Sequence, residues 1–175
     1  SPDGTLDADA AVALVERPRG YNQVGTALIA VENTHNFSGG RIAAIDQLRA
    51  LRACADERGV RVHMDGARVA NAVVAEGSSF ADQGAVVDSL SICLSQGLGA
   101  PVGSVLTGTA SLIEEARYLR KRYGGGMRQA GILAAAGHDA LDRNIDRLAD
   151  DHAHAAHIAA TVAQAVPQFA DPASV

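Results

Sequence analysis

Three observations predict an α/β fold, a mostly parallel sheet with flanking helices. Short apolar runs rich in strand formers alternate with helical stretches along the chain. The first three runs each lead into a polar or glycine-rich loop, "ENTHN", "DGAR" and "SQGLGAP". In parallel sheets such loops gather at the carboxyl edge of the strands, where ligands bind. Finally, 47% of the 175 residues are apolar, enough for a core, while aromatics are only 3% and Trp is absent, so Ala, Val, Leu and Ile must do the packing.

The elements follow in order. "DADAAVALVE" reads as a helix with Asp7 or Asp9 as N-cap, ended by Pro18 and Gly20. "TALIAVE", Thr26 to Glu32, is the first strand. "IDQLRALRACADERG" places Ile45, Leu48, Leu51 and Ala55 on one helical stripe, with Gly59 at the C-terminal cap. "VRVHMD", Val60 to Asp65, is the second strand, and "ARVANAVVAEG" a helix closing at Gly77. "VVDSLSICL", Val86 to Leu94, and "VGSVLTG" are the third and fourth strands. "ASLIEEARYLRKRY" is an amphipathic helix halted by Gly124, Gly125 and Gly126. "RQAGILAAAGHDAL" and "IDRLADDHAHAAHIAATVAQAV" are Ala-rich helices, and Pro167 and Pro172 mark a frayed end. The chain shows no internal repeat and no linker-like break.

Composition narrows the function. A net charge of −5 argues against a general nucleic-acid binder. No apolar run reaches the roughly 18 residues that span a bilayer, so no membrane partner is expected. No signal peptide is visible, and the expected location is cytoplasmic. Cys54 and Cys93 are too few for a disulfide framework and read as two buried free thiols. The sequence begins without Met, so the true start is expected upstream. Of 15 basic residues, Lys121 is the only lysine. Chemistry that needs a lysine amine therefore has one candidate.

Several side chains could carry chemistry. Asp65 ends a strand and could pair with a ligand cation, and Arg68 could grip a carboxylate bidentately. Equally, Asp65 could cap the next helix with Arg68 as a surface partner. His35, in the first loop, could stack on a planar ligand or handle a proton, or be satisfied by water or backbone. "GLGAPVG" is not a dinucleotide fingerprint, because it leads through Pro101 into a strand instead of opening a helix. "RKRYGGGMRQ" gathers four basic residues around three glycines and could hold a phosphate or simply be a solvated helix end. "HAHAAH", with His152, His154 and His157, reads as a solvent-facing surface and not a metal tract, so no metal is expected.

Taken together, "ENTHN", "HMDGAR" with Asn71, "GLGAPVGS" behind Ser95 and Gln96, and "GGGMRQAG" resemble the L-threonine aldolases, in that order and spacing, with "RLADDHAHA" fitting the family's later helix. The resemblance implies a lyase dependent on pyridoxal 5'-phosphate, with the aminotransferase-like fold (fold type I). It implies aldol cleavage of L-threonine or allo-threonine, small β-hydroxy amino acids, to glycine and acetaldehyde, in a homodimer or homotetramer. Asp65 then matches the carboxylate that pairs with the pyridine nitrogen, and Arg68 the arginine near the cofactor oxygen and substrate carboxylate. His35 matches the histidine near the substrate hydroxyl. Lys121 and Arg128 match a basic pair near the cofactor phosphate, contributed across a dimer interface. Ser95 precedes the position of the Schiff-base lysine, and that position holds Gln96. An amide nitrogen, its lone pair delocalised, cannot form that bond, so impaired turnover is expected.

The resemblance also implies that the family's glycine-rich phosphate loop and ring-stacking histidine lie upstream of Ser1. A carboxylate-binding arginine of the small domain would lie beyond Val175. Residues 1–141 are then part of the large cofactor-binding domain, and 142–175 a helix leading toward the small C-terminal domain. Two alternatives stay open: a non-catalytic or truncated relative acting as a binding or dimerisation module, and another lyase of this fold acting on a different β-substituted amino acid. Exposed sheet edges and a need for a partner chain are expected of such a piece.

Overall fold

The computed structural model describes residues 4–17, 20–169 and 172. Strands β1 (Leu28–Glu32), β2 (Arg61–Gly66) and β3 (Ser89–Cys93) run parallel, and β4 (Ser104–Gly108) returns antiparallel beside β3. Glu32 stands in register with Asp65, and Asp65 with Ser91. The three parallel strands therefore end at one edge. Alternation along β2 sets the faces: Val62, Met64 and Gly66 are buried, while Arg61 and Asp65 are exposed.

Among the described residues, seven helices accompany the sheet: α1 (Ala8–Ala13), α2 (Ile45–Arg58), α3 (Val69–Glu76), α4 (Phe80–Ala85), α5 (Ala110–Arg122), α6 (Gly131–Arg143) and α7 (Leu148–Ala165). The apolar stripe of α2 buries Leu48, Leu51 and Ala55 against Val62 and Met64 of β2, with Val12 of α1, Val69 of α3 and Leu90 of β3 completing the core. Each such leucine contributes about 2 kcal/mol by leaving water. A separate cluster of Leu94, Leu98, Ala140 and Leu148 seats the loop after β3 on α6 and α7.

Most expected elements are present, with shifted ends. Asp7 caps α1, its Oδ1 accepting from the Ala10 N–H at 2.9 Å, while Pro18, the expected terminator, lies outside the described residues. Gly59 and Gly77 close α2 and α3. The third strand is shorter than expected, because Val86 belongs to the end of α4. That helix was not foreseen. Its signal is a capping box: the Ser79 Oγ accepts from the Asp82 N–H at 3.1 Å, and Asp82 Oδ2 from the Ser79 N–H at 2.9 Å. The helix expected from Arg128 begins at Gly131. Cys54 and Cys93 are free as expected, but both are half-buried. None of the residues of α5 is buried, and beside it Val105 and Leu106 of β4 remain 40% exposed, as expected of an open sheet edge.

Asp88, just before β3, ties three elements together. Its Oδ2 accepts from Arg52 of α2 at 2.6 Å and from the Val62 N–H of β2 at 2.7 Å. Burial pushes the Asp88 carboxyl up, but the Val62 N–H and the Arg52 guanidinium outweigh it and hold the group below the usual carboxylate range. A carboxyl with a folded-state pKa below its unfolded value adds stability above the unfolded value, and loses it as pH falls through the folded one. Thermal unfolding followed from about pH 7 to about pH 2.5 is expected to show the melting temperature falling at the acid end. Asp88→Asn should melt lower near neutrality and lose that part of the acid dependence.

Candidate active site

The loop after β1 is held by a buried amide. Asn33 is fully buried, its Oδ1 accepting from the Ala43 N–H at 3.2 Å and its Nδ2 donating to the Ala43 carbonyl at 3.3 Å and to Gln83 Oε1 at 3.4 Å. Gln83, also fully buried, donates in turn to Glu76 Oε2 and to Ser78 Oγ, each at 3.3 Å. Within this pinned loop His35 is half-buried, and its Nδ1 pairs with Ser38 Oγ at 2.8 Å. Its Nε2 carries no hydrogen bond among the described residues.

Asp65 and Arg68 follow at the tip of β2. Gly66 between them admits no side chain, since a Cβ there would lie 2.5 Å from the Ser91 carbonyl oxygen of the neighbouring strand. Asp65 does not cap α3: the N-cap is Arg68, and Asp65 Oδ1 accepts from the Ala67 N–H at 3.0 Å in a tight local turn. Its Oδ2 has no partner, and neither Asp65 nor Arg68 joins an ion pair, among the described residues. Arg68 instead lines a cavity of about 390 Å³ with Thr34, Asn36, Asn71, Asp151 and His152.

The loop after β3 reaches the same cavity wall. A Cβ on Gly97 would lie 3.2 Å from Asp151 Oδ2 and 3.6 Å from Asn71 Oδ1, so the residue after Gln96 packs on two lining side chains. Gln96 is exposed, its carbonyl accepting from the Gly99 N–H at 2.8 Å and its side-chain amide unpaired among the described residues. Ser95 Oγ stands 3.3 Å from Cys93 Sγ.

The loops bearing His35, Arg68 and Gln96 thus meet at one edge, with Asp65 on the open face of the sheet beside them. Of the expected site residues only Arg68 lines this cavity. His35 borders a separate hollow with Leu6, Asp7 and Glu32, while Asp65, Ser95 and Gln96 lie outside the cavity. Lys121 and Arg128 are exposed at the end of α5 and in the glycine turn beyond it. His154 and His157 are exposed as expected. His152 is not: its Nε2 pairs with the Asn71 carbonyl at 3.0 Å, packing α7 on α3. Among the described residues, no group of three His, Cys, Asp or Glu is placed to hold a metal. Asp151 and His152 were missed as lining residues; their one signal was the match of "RLADDHAHA" to the later helix of the resembled family.

Such a sheet, with an unpaired carboxylate and guanidinium at its carboxyl edge, places the chain among the α/β proteins, a class in which ligands bind at the strand tips. All of residues 1–175 match the beta-eliminating lyase family, and the chain belongs to it. The family and its threonine aldolase members depend on pyridoxal phosphate. The chain is 45% identical over 163 residues to the low specificity L-threonine aldolase of Escherichia coli K12, covering 93% of this chain and 48% of that one. It is 45% identical over 151 residues to low-specificity L-threonine aldolase 1 of Arabidopsis thaliana, covering 86% and 42%. The threonine aldolase structure from Leishmania major shares the fold, with a TM-score of 0.76 at 22% identity over 94% of this chain and 48% of that one. The chain therefore spans less than half the length of these relatives.

Removing the Asn33 amide strands both polar groups of Ala43. Asn33→Ala is expected to lower the unfolding free energy by about 2–3 kcal/mol in urea titration. Amide exchange should quicken first between residues 34 and 43.

Proposed function

We propose that this chain supplies the pyridoxal-phosphate platform of a carbon–carbon lyase that cleaves L-threonine or L-allo-threonine to glycine and acetaldehyde, and that Gln96 impairs it. The observation that carries this is the meeting of three strand-end loops on an edge that presents an unpaired carboxylate and an unpaired guanidinium. The similarity to proteins named low-specificity L-threonine aldolases supports the substrate class.

The donor set suits the cofactor's ring. Asp65 offers a free Oδ2, and an anion there favours the protonated pyridine nitrogen. Bound at this edge, the cofactor supplies an electron sink for the pair released when the Cα–Cβ bond breaks. Arg68 would grip and orient the substrate carboxylate in the geometry a guanidinium favours. His35, its Nδ1 occupied by Ser38, would take the proton of the substrate hydroxyl at Nε2. Lys121 and Arg128 would hold the phosphate across a homodimer or homotetramer interface. Residues 1–141 form the large-domain part of this platform, and the later helix leads toward the small domain. A cytoplasmic location accords with this chemistry.

Gln96 does not suit covalent attachment. Its amide nitrogen cannot condense with an aldehyde, and Lys121, the only side-chain amine, sits at the end of α5. This substitution favours a second reading, a non-catalytic relative that serves as a binding module.

Titration with pyridoxal phosphate should give saturable binding with the absorbance of the free aldehyde. Borohydride should fix no adduct on residue 96. Gln96→Lys is expected to gain that adduct by mass spectrometry, and to cleave L-threonine at least about a thousandfold faster than the parent. Equal turnover by the two would overturn the assigned role of residue 96. Absence of saturable binding by either would favour the binding-module reading.

A further inference from the structure

We infer that Asn144 and Arg147, in the turn between α6 and α7, are positioning residues that clamp the loop of residue 96 by its backbone. The inference rests on the reading of residue 96 as the cofactor-carrier position. Two carbonyls just beyond that residue are taken by side chains 46 and 50 positions away in sequence. Asn144 Nδ2 donates to the Leu98 carbonyl at 2.7 Å, and Arg147 donates to the Gly97 carbonyl at 3.1 Å.

Packing fixes the same two residues from the other side. Gly97 lies against α7 so closely that a Cβ would come within 2.6 Å of Leu148 Cδ2. Leu98 is buried in the cluster of Leu94, Ala140 and Leu148. Within the loop, the Gly99 N–H donates to the Gln96 carbonyl at 2.8 Å, and the Ala100 N–H to the Leu94 carbonyl at 2.9 Å. The carbonyls of residues 94, 96, 97 and 98 are therefore tied, and the exposed side chain of residue 96 leaves from a backbone held on its C-terminal side. Arg147 is itself steered by Asp151, 3.8 Å away on the next turn of α7. Asp151 also lines the Arg68 cavity, so the clamp and the cavity wall share a side chain.

The energetic logic separates the two partners. The Asn144 bond is partly buried, so its loss leaves the Leu98 carbonyl short of a partner with little access to water. The Arg147 bond is exposed, and water can replace it. Asn144 is accordingly the main holder and Arg147 the secondary one.

Two measurements test the clamp. The first is amide hydrogen exchange in the parent, Asn144→Ala, Asn144→Gln and Arg147→Ala. Asn144→Ala should speed exchange at Gly99 and Ala100 by about tenfold, with Leu51 and Val62 unchanged. Arg147→Ala should do so by less, and Asn144→Gln, which keeps a donor, should recover part of the protection. The second is the rate of borohydride-fixed pyridoxal-phosphate adduct formation on residue 96 in Gln96→Lys, alone and combined with Asn144→Ala. The combined variant should form it about tenfold more slowly, and Asn144→Gln in its place should restore part of the rate.

Unchanged exchange at Gly99 and Ala100, or equal acceleration at Leu51 and Val62, would overturn the clamp. So would a loosened loop with an unaltered adduct rate. If Gln96→Lys forms no adduct at all, the assignment of residue 96 fails instead, and the exchange measurement alone decides whether the clamp exists.

Discussion

Parallel pairing of β1 and β2 continues one bond past the last ladder pair: the Asn33 N–H donates to the Asp65 carbonyl at 2.9 Å. That bond ties the start of the His35 loop to the backbone of the residue whose carboxylate stands at the strand tip. The site depends on it, because a parallel register gives neighbouring strands a common end. Three parallel strands whose ends stand in register must deliver their loops to the same edge. Gly66 then lets β3 approach β2 at the tip, where any side chain would strike the Ser91 carbonyl. Position is set by the backbone, and the side chains are left free to meet a ligand.

That freedom is visible in what the polar groups do. Away from the edge some charges are matched, Arg52 with Asp56 and Asp88 and Arg143 with Asp139, while exposed ones such as Arg117, Arg120 and Glu115 are not paired among the described residues. At the edge, Asp65 and Arg68 have no charged partner among the described residues. The buried amides of Asn33 and Gln83 are satisfied, as burial demands. Hydrogen bonds hold the loops, while the Asp65 carboxylate and the Arg68 guanidinium stand without an ion pair at the strand ends. The loop that carries Gln96 is anchored too, by Asn144 at the Leu98 carbonyl and Arg147 at the Gly97 carbonyl.

Much of this was legible in the sequence, and the omissions have a common physical cause. Strand cores, the α2 stripe of Leu48, Leu51 and Ala55, and the caps at Gly59 and Gly77 are local signals and were read correctly. The three post-strand loops pointed to the edge because parallel topology follows from alternation. Helix α4 was passed over although Ser79 and Asp82 form a capping box, since six residues are too few for a visible period. The antiparallel return of β4 has no periodic signature, because strand direction is not encoded in which faces are apolar. His152 was read as solvent-facing together with His154 and His157, since no carboxylate–cysteine pattern marks the tract as a metal site; only the packing of α7 on α3 turns it inward. The Asn33–Gln83 bond spans fifty positions, and no local pattern announces a contact at that separation.

The most direct test of the account is a backbone amide NMR titration of this chain with pyridoxal 5'-phosphate. The account predicts shifts that saturate together and cluster on residues 33–36, 65–71 and 95–97. Shifts centred instead on the groove that Val105 and Leu106 of β4 form with Ile113 and Arg117 of α5, with those three loops unmoved, would contradict it.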